Sequence, residues 1–129
     1  MNVKIEIIPH NKQRYPTCGD WFYDKKGNLT IRVSKLSDWR REMLIAVHEL
    51  TEVLICKHKK ISQKLVDQFD MKFEKDRANG KHGEDDEPGD HKKAPYRKQH
   101  FFATNIEALL SAELGVDWAS YEGELSKLP

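Results

Sequence analysis

Cysteine is scarce in this chain: Cys18 and Cys56 are the only two in 129 residues, with no Cys-x-x-Cys pair and no dense spacing, which argues against a disulfide framework. Long apolar runs are missing too. No stretch approaches the length needed to span a bilayer, and the N-terminal MNVKIEIIPH has too short an apolar segment for a signal peptide. The expectation is a cytoplasmic chain with reduced thiols and no membrane partner. Nor is there an excess of charge of one sign. Lys and Arg number 22 against 21 Asp and Glu, for a net +1, so no global field favours nucleic acid or an anionic surface. No internal repeat is visible, and the length suits one domain over 1–129.

What is present begins with strand patterns. Val3 to Ile8 alternates apolar and charged residues and ends at Pro9, the period of a half-buried strand. Trp21 to Tyr23 and Leu29 to Val33 flank the turn Asp24-Lys25-Lys26-Gly27-Asn28, which predicts a β-hairpin with Leu29, Ile31 and Val33 on the buried face. Three helices follow. Ser37 and Asp38 cap the first, running from Asp38 to Cys56 or Lys57; the second spans about Ser62 to Lys75 with Leu65, Val66, Phe69 and Phe73 at helical spacing. Asp67 and Asp70 are expected as solvated charges beside that stripe. The third helix spans Pro95 to Leu114, ended by Gly115. Its apolar residues cover a broad face, while His100, Thr104, Glu107 and Ser111 form a separate polar stripe. Trp118, Tyr121 and Leu125 mark a short amphipathic tail that docks back on the body, and Trp21, Trp39 and Trp118 are expected in the core. Between the second and third helices, at about 74–95, glycine, proline and mixed charge predict a long mobile loop. The fold class expected is α+β: a small antiparallel sheet, made of the N-terminal strand and the hairpin, packed on three main helices.

The stretch Met43 to Cys56 is apolar except for His48, Glu49, Thr51 and Glu52 in its middle. Burying ionisable groups there costs several kcal/mol unless they are paired, neutralised or bound to a metal. His48 and Glu52 are one turn apart and share a face; Glu49 lies about 100° round from His48. A helix with this His-Glu-x-x-Glu pattern offers two metal ligands, and the intervening Glu49 can hydrogen-bond an activated water as general base. Candidates for a third ligand are His100, Glu107, His91, Asp67 and Asp70. His100 leads, because it opens the polar stripe of the third helix. Glu107, two turns or roughly 10 Å further on, suits an orienting role beside it. His91 reaches a common ion only if the charged loop closes. A carboxylate-rich site accepts Mn²⁺ or Fe²⁺ as well as Zn²⁺. A buried His48 paired with Glu52 or Glu107 and no metal at all satisfies the same residues as a plain hydrogen-bonding network. Arg97, Lys98, Lys92 and Lys93 form a local basic cluster, but Glu84 to Glu87 and Asp90 neutralise it, which argues against a nucleic-acid contact.

The order strand, hairpin and AVHELTE helix resembles the zincin-like metallopeptidase core, in which a zinc-binding helix packs beneath a sheet whose edge strand aligns a peptide. The resemblance covers roughly Trp21 to Cys56. It implies His48 as ligand and Glu49 as base, and the family's second histidine falls on Glu52. AVHELTE together with EPGDHKKAPYRKQHFFATNIE is also similar to short phage-encoded proteins, which implies the host cytoplasm. Two functions follow as expectations. One is a metal-dependent hydrolase of peptide bonds with His48, Glu52 and His100 as ligands and Glu49 as base. The other is a non-catalytic module, stabilised by metal or by a His-Glu network, that engages a protein partner through its charged loop.

Overall fold

The computed structural model describes all residues, Met1–Pro129. Three strands, β1 (Val3–Ile8), β2 (Gly19–Tyr23) and β3 (Leu29–Ser34), precede four helices, α1 (Trp39–His58), α2 (Gln63–Ala78), α3 (Arg97–Glu113) and α4 (Trp118–Ser126). The class is α+β, as the patterns predict. The sheet is mixed, however, not antiparallel. Its order is β1-β3-β2, with β2 antiparallel to β3 and β1 parallel to it, so β3 is the central strand and β2 an edge. The segment from Pro9 to Cys18, including a short 3-10 turn at His10–Lys12, carries the chain across to the far side of β3 before it turns back, and that crossing imposes the parallel pairing.

Local chemistry explains the boundaries. In the hairpin turn, Asp24 Oδ1 accepts from the N–H groups of Lys26 (2.8 Å) and Asn28 (2.9 Å), and Gly27 takes the left-handed φ of +79° that a side chain would resist. Asp38 caps α1 by accepting from Arg40 N–H, and Ser62 caps α2 by accepting from Leu65 N–H. The tail is a full fourth helix, capped by Asp117.

Helix α1 lies across β3 and β2. Leu29, Ile31 and Val33 are fully buried beneath it with Leu44, Val53 and Cys56. Each of the five aliphatic side chains among them contributes roughly 1.5–3 kcal/mol through burial. β1 is not covered in the same way. Val3, Ile5 and Ile7 share the core face with their in-register partners Leu29, Ile31 and Val33, yet remain 45%, 44% and 36% exposed. Two further expectations fail. Trp39 sits at the first turn of α1, outside the core and 64% exposed, and Asp70 is buried, not solvated.

Helix α3 turns its polar stripe inward. Its buried residues are His100, Ala103, Glu107 and Ser111, whereas Phe101, Phe102 and Leu109 face outward. The polar stripe is what packs on α1.

The charged segment after α2 has local order. α2 continues to Ala78, and Arg77 reaches back from its last turn to the carbonyls of Gly83, Glu84 and Asp86. A 3-10 turn at Pro88–Asp90 then seats Gly89 against the ring of His100; a Cβ there would lie 2.4 Å from His100 Cγ.

Candidate metal centre between α1 and α3

The facing of α1 and α3 brings three sequence candidates together. His48 Nε2 lies 3.2 Å from His100 Nδ1 and 3.3 Å from Glu52 Oε2, and His100 Nδ1 lies 3.0 Å from the same Glu52 oxygen. All three side chains are buried. Ligands bonded at about 2.0–2.2 Å to one tetrahedral ion stand roughly 3.3–3.6 Å from each other, a few tenths of an ångström wider than this triangle.

The other polar atom of each side chain is already engaged. His48 Nδ1 pairs with Glu107 Oε1 at 2.7 Å, and His100 Nε2 pairs with Glu87 Oε2 at 2.9 Å. Glu52 Oε1 accepts from Trp21 Nε1–H at 3.1 Å. Glu107 is held in turn by the Tyr121 hydroxyl, which donates to its Oε2 at 2.6 Å. If each neutral imidazole donates its distal N–H to its carboxylate, the converging atoms are two nitrogen lone pairs and a carboxylate oxygen. Three acceptors at such distances repel unless a cation stands among them. The donor set of two imidazoles and one carboxylate fits Zn²⁺, Mn²⁺ or Fe²⁺, and a carboxylate behind each ring is the usual support of a metal-binding histidine.

Protons can also fill that role. Burial opposes charge on His48, but hydrogen bonds to Glu107 and Glu52 more than reverse it and hold the ring up to about 11. The same balance, with Glu52 and Glu87 as partners, raises His100 to about 10. Glu52 is brought down to about 2, the hydrogen bonds from His100 and His48 overcoming its burial.

Glu49 differs from its neighbours. It is half-buried and makes no side-chain hydrogen bond to the protein; burial, then the charge of Glu52, push its carboxyl well above the usual range. Its Oε1 abuts Gly19 so closely that a Cβ there would lie 2.6 Å from it and equally close to Ile45 Cγ2. The bare backbone at the start of β2 is therefore what leaves room for this carboxylate. Glu49, His48, Glu52 and His100 open on a cavity of about 860 Å³, bounded by Tyr15 to Trp21 on one side, Glu84 to Asp90 on another, and α4. That volume suits a substrate-sized ligand.

The remaining candidates lie elsewhere. Asp67 pairs with Arg14 at 3.1 Å. Asp70 accepts from the hydroxyls of Tyr96 (2.5 Å) and Tyr15 (3.1 Å), and burial outweighs these bonds to push it up to about 7. His91 packs against Phe69, ring centroids 5.7 Å apart, and its Nδ1 accepts from Lys93 N–H, outside the three-donor group. Glu87, Trp21, Tyr121 and Gly19 were not among the sequence candidates. Glu87 sits in a run of acidic residues that singles out none of them, and the other three become part of the site only through packing.

A search for related proteins finds no matching family model, no curated protein and no solved structure.

Proposed function

We propose that this chain is a metal-dependent hydrolase, with His48, Glu52 and His100 holding the ion, Glu49 as general base, and a peptide bond as the target. The observation that carries the reading is the convergence of three donor atoms whose partner atoms are each already hydrogen-bonded, beside a carboxylate that has no partner. The resemblance of the AVHELTE helix to the zincin core supports the same assignment. A bound divalent cation would supply Lewis acidity, polarising the scissile carbonyl. Glu107 and Glu87 fix the ring orientations of His48 and His100, and Tyr121 fixes Glu107. Glu49, with its raised affinity for protons, takes one from water in the cavity and returns it to the leaving amine. The half-open cavity admits a chain segment without requiring it to thread through.

Elemental analysis of untagged protein against His48→Ala and His100→Ala tests the ion: one equivalent of transition metal is expected in the wild type and none in either variant. Peptide-library cleavage by the loaded protein and by Glu49→Gln tests the base, with turnover expected to vanish while the metal stays bound. No metal after reconstitution sinks the proposal; cleavage unchanged in Glu49→Gln removes Glu49 from it.

A second reading has its own support. Two protonated rings among Glu52, Glu107 and Glu87 form a charge-compensated network with no metal, and the elevated proton affinities of His48 and His100 favour it. On that reading the fold is a binding module whose loop 84–90 engages a protein partner, and elemental analysis separates the two.

A further inference from the structure

The free edge of β1 carries a second inference, independent of the metal site. The bonds from Leu29 N–H to Asn2 O and from Lys35 N–H to Ile8 O set the phase of the parallel ladder. In that phase the even-numbered residues of β1 turn their backbone groups toward β3. The N–H and C=O of Val3, Ile5 and Ile7 therefore point away from the sheet. The side chains of the same three residues lie on the core face and are exposed. An open edge with an apolar face is a template for another strand.

We propose that β1 pairs antiparallel with β1 of a second copy of this chain, about a two-fold axis at Ile5, forming a continuous six-stranded sheet. In this register Ile5 opposes Ile5 and Val3 opposes Ile7, so every outward backbone group of the three residues finds a partner and their side chains form one apolar strip. Lys4 then opposes Glu6 of the other copy, twice, by symmetry. No neighbouring register does this. Sliding by two residues, the smallest shift that keeps outward groups facing each other, sets Lys4 against Lys4 or Glu6 against Glu6 and loses a backbone pair. Within one chain Lys4 Nζ pairs with Glu6 Oε1 at 2.7 Å and Glu6 Oε2 also takes Arg32 at 3.3 Å; across the two-fold the Lys4–Glu6 pair along each strand becomes a four-charge cluster of alternating sign, complementary to itself in this alignment only, and that favours a second copy over an unrelated strand as occupant.

The test is sedimentation equilibrium of the full chain with three variants. Wild type is expected to form a concentration-dependent dimer. Ile5→Pro takes from the backbone an N–H that faces the open edge, and from the seam the Ile5 side chain, while every backbone bond to β3 is kept, so the monomer's ladder survives and dimerisation is lost. Lys4→Glu and Glu6→Lys should each weaken the dimer at least ten-fold, because each sets like charges opposite one another. Mixed in equal amounts they should dimerise again, since the first variant carries acidic side chains at both positions and the second carries basic ones at both. Circular dichroism establishes that each variant is folded. A wild type that stays monomeric at several hundred micromolar overturns the proposal, as does a dimer indifferent to Ile5→Pro or a mixture that fails to reassociate.

Discussion

His48 Nε2 and His100 Nδ1 face each other across 3.2 Å, and each ring has its other nitrogen committed to a separate glutamate. Whatever sits between them must be positive, and protons and a metal ion are the two choices.

On the proposed reading, metal and protons compete for the same nitrogens. With His48 held up to about 11 and His100 to about 10, a divalent cation has to displace a proton from each ring. The apparent affinity for Zn²⁺ should rise with pH, by up to ~100-fold per pH unit across pH 6–8 when two protons leave. Chelator-competition titrations at several pH values measure this slope, and a flat profile would show that no ring proton is displaced.

Without metal the pH dependence of stability runs the other way. Both histidines have folded-state affinities raised above the unfolded value of about 6.5, so their contribution is complete below pH 6.5. It is lost as pH climbs through about 10 and 11. Urea midpoints of chelator-treated protein should therefore fall between pH 7 and 10, and added metal should narrow or reverse that fall.

Asp70 gives a separate titration. Its carboxyl is raised from 3.8 to about 7, so the folded state prefers it neutral: its contribution is present below pH 3.8 and is lost as pH rises through 7. Asp70→Asn keeps an acceptor for the tyrosine hydroxyls without the buried charge. It should stabilise the fold at pH 8 by about 1–2 kcal/mol and flatten the pH 4–7 slope in thermal melts.

Gly19→Ala is expected to act on Glu49 alone among the site residues. The new Cβ, 2.6 Å from Glu49 Oε1 and from Ile45 Cγ2, displaces the carboxylate at a cost of about 1–3 kcal/mol in stability. Turnover should drop at least ten-fold with metal affinity unchanged. A parallel loss of metal would mean that the whole turn of α1 had moved.

Glu107→Gln and Glu87→Gln probe the outer supports. Each should weaken metal binding by about 10–100-fold, the usual effect of removing the carboxylate behind a ligating ring. Glu107 is the more sensitive position to expect, being buried and held by Tyr121, whereas Glu87 is 57% exposed at its side chain and can be replaced in part by water. Equal, negligible effects in isothermal titration would reassign both residues to simple fold stability.

Much of this was legible in the sequence because it depends on neighbours along the chain. Asp38 and Ser62 announce their helices, the 24–28 turn announces the hairpin, and the His48–Glu52 spacing places two donors on one face. The position of β1 was not, since period-two alternation is the same for a parallel and an antiparallel partner. The alternation also implied a covered face, whereas cover depends on where α1 lies. On α3 the polar stripe was visible, and choosing His100 as third ligand placed it against α1; what the pattern did not show is that Phe101, Phe102 and Leu109 would be left outside, since large apolar residues normally face inward and here the charge-balanced cluster at His48 takes that place. Glu87 had no local signal at all. Its role comes from Gly89 letting the chain approach His100.

The inward stripe of α3 has a consequence for how this sequence can drift. His100 and Glu107 are at once part of the proposed site and the attachment of α3 to α1, with Ala103 the sole apolar residue among the four it buries. A lineage could not lose these residues one at a time, because each single loss leaves a buried carboxylate or imidazole without its counterpart. The cluster must be kept whole or replaced whole by apolar side chains. Glu49 is the exception. It has no partner to strand, so it is the one position of the proposed site at which a descendant could change and still keep its shape.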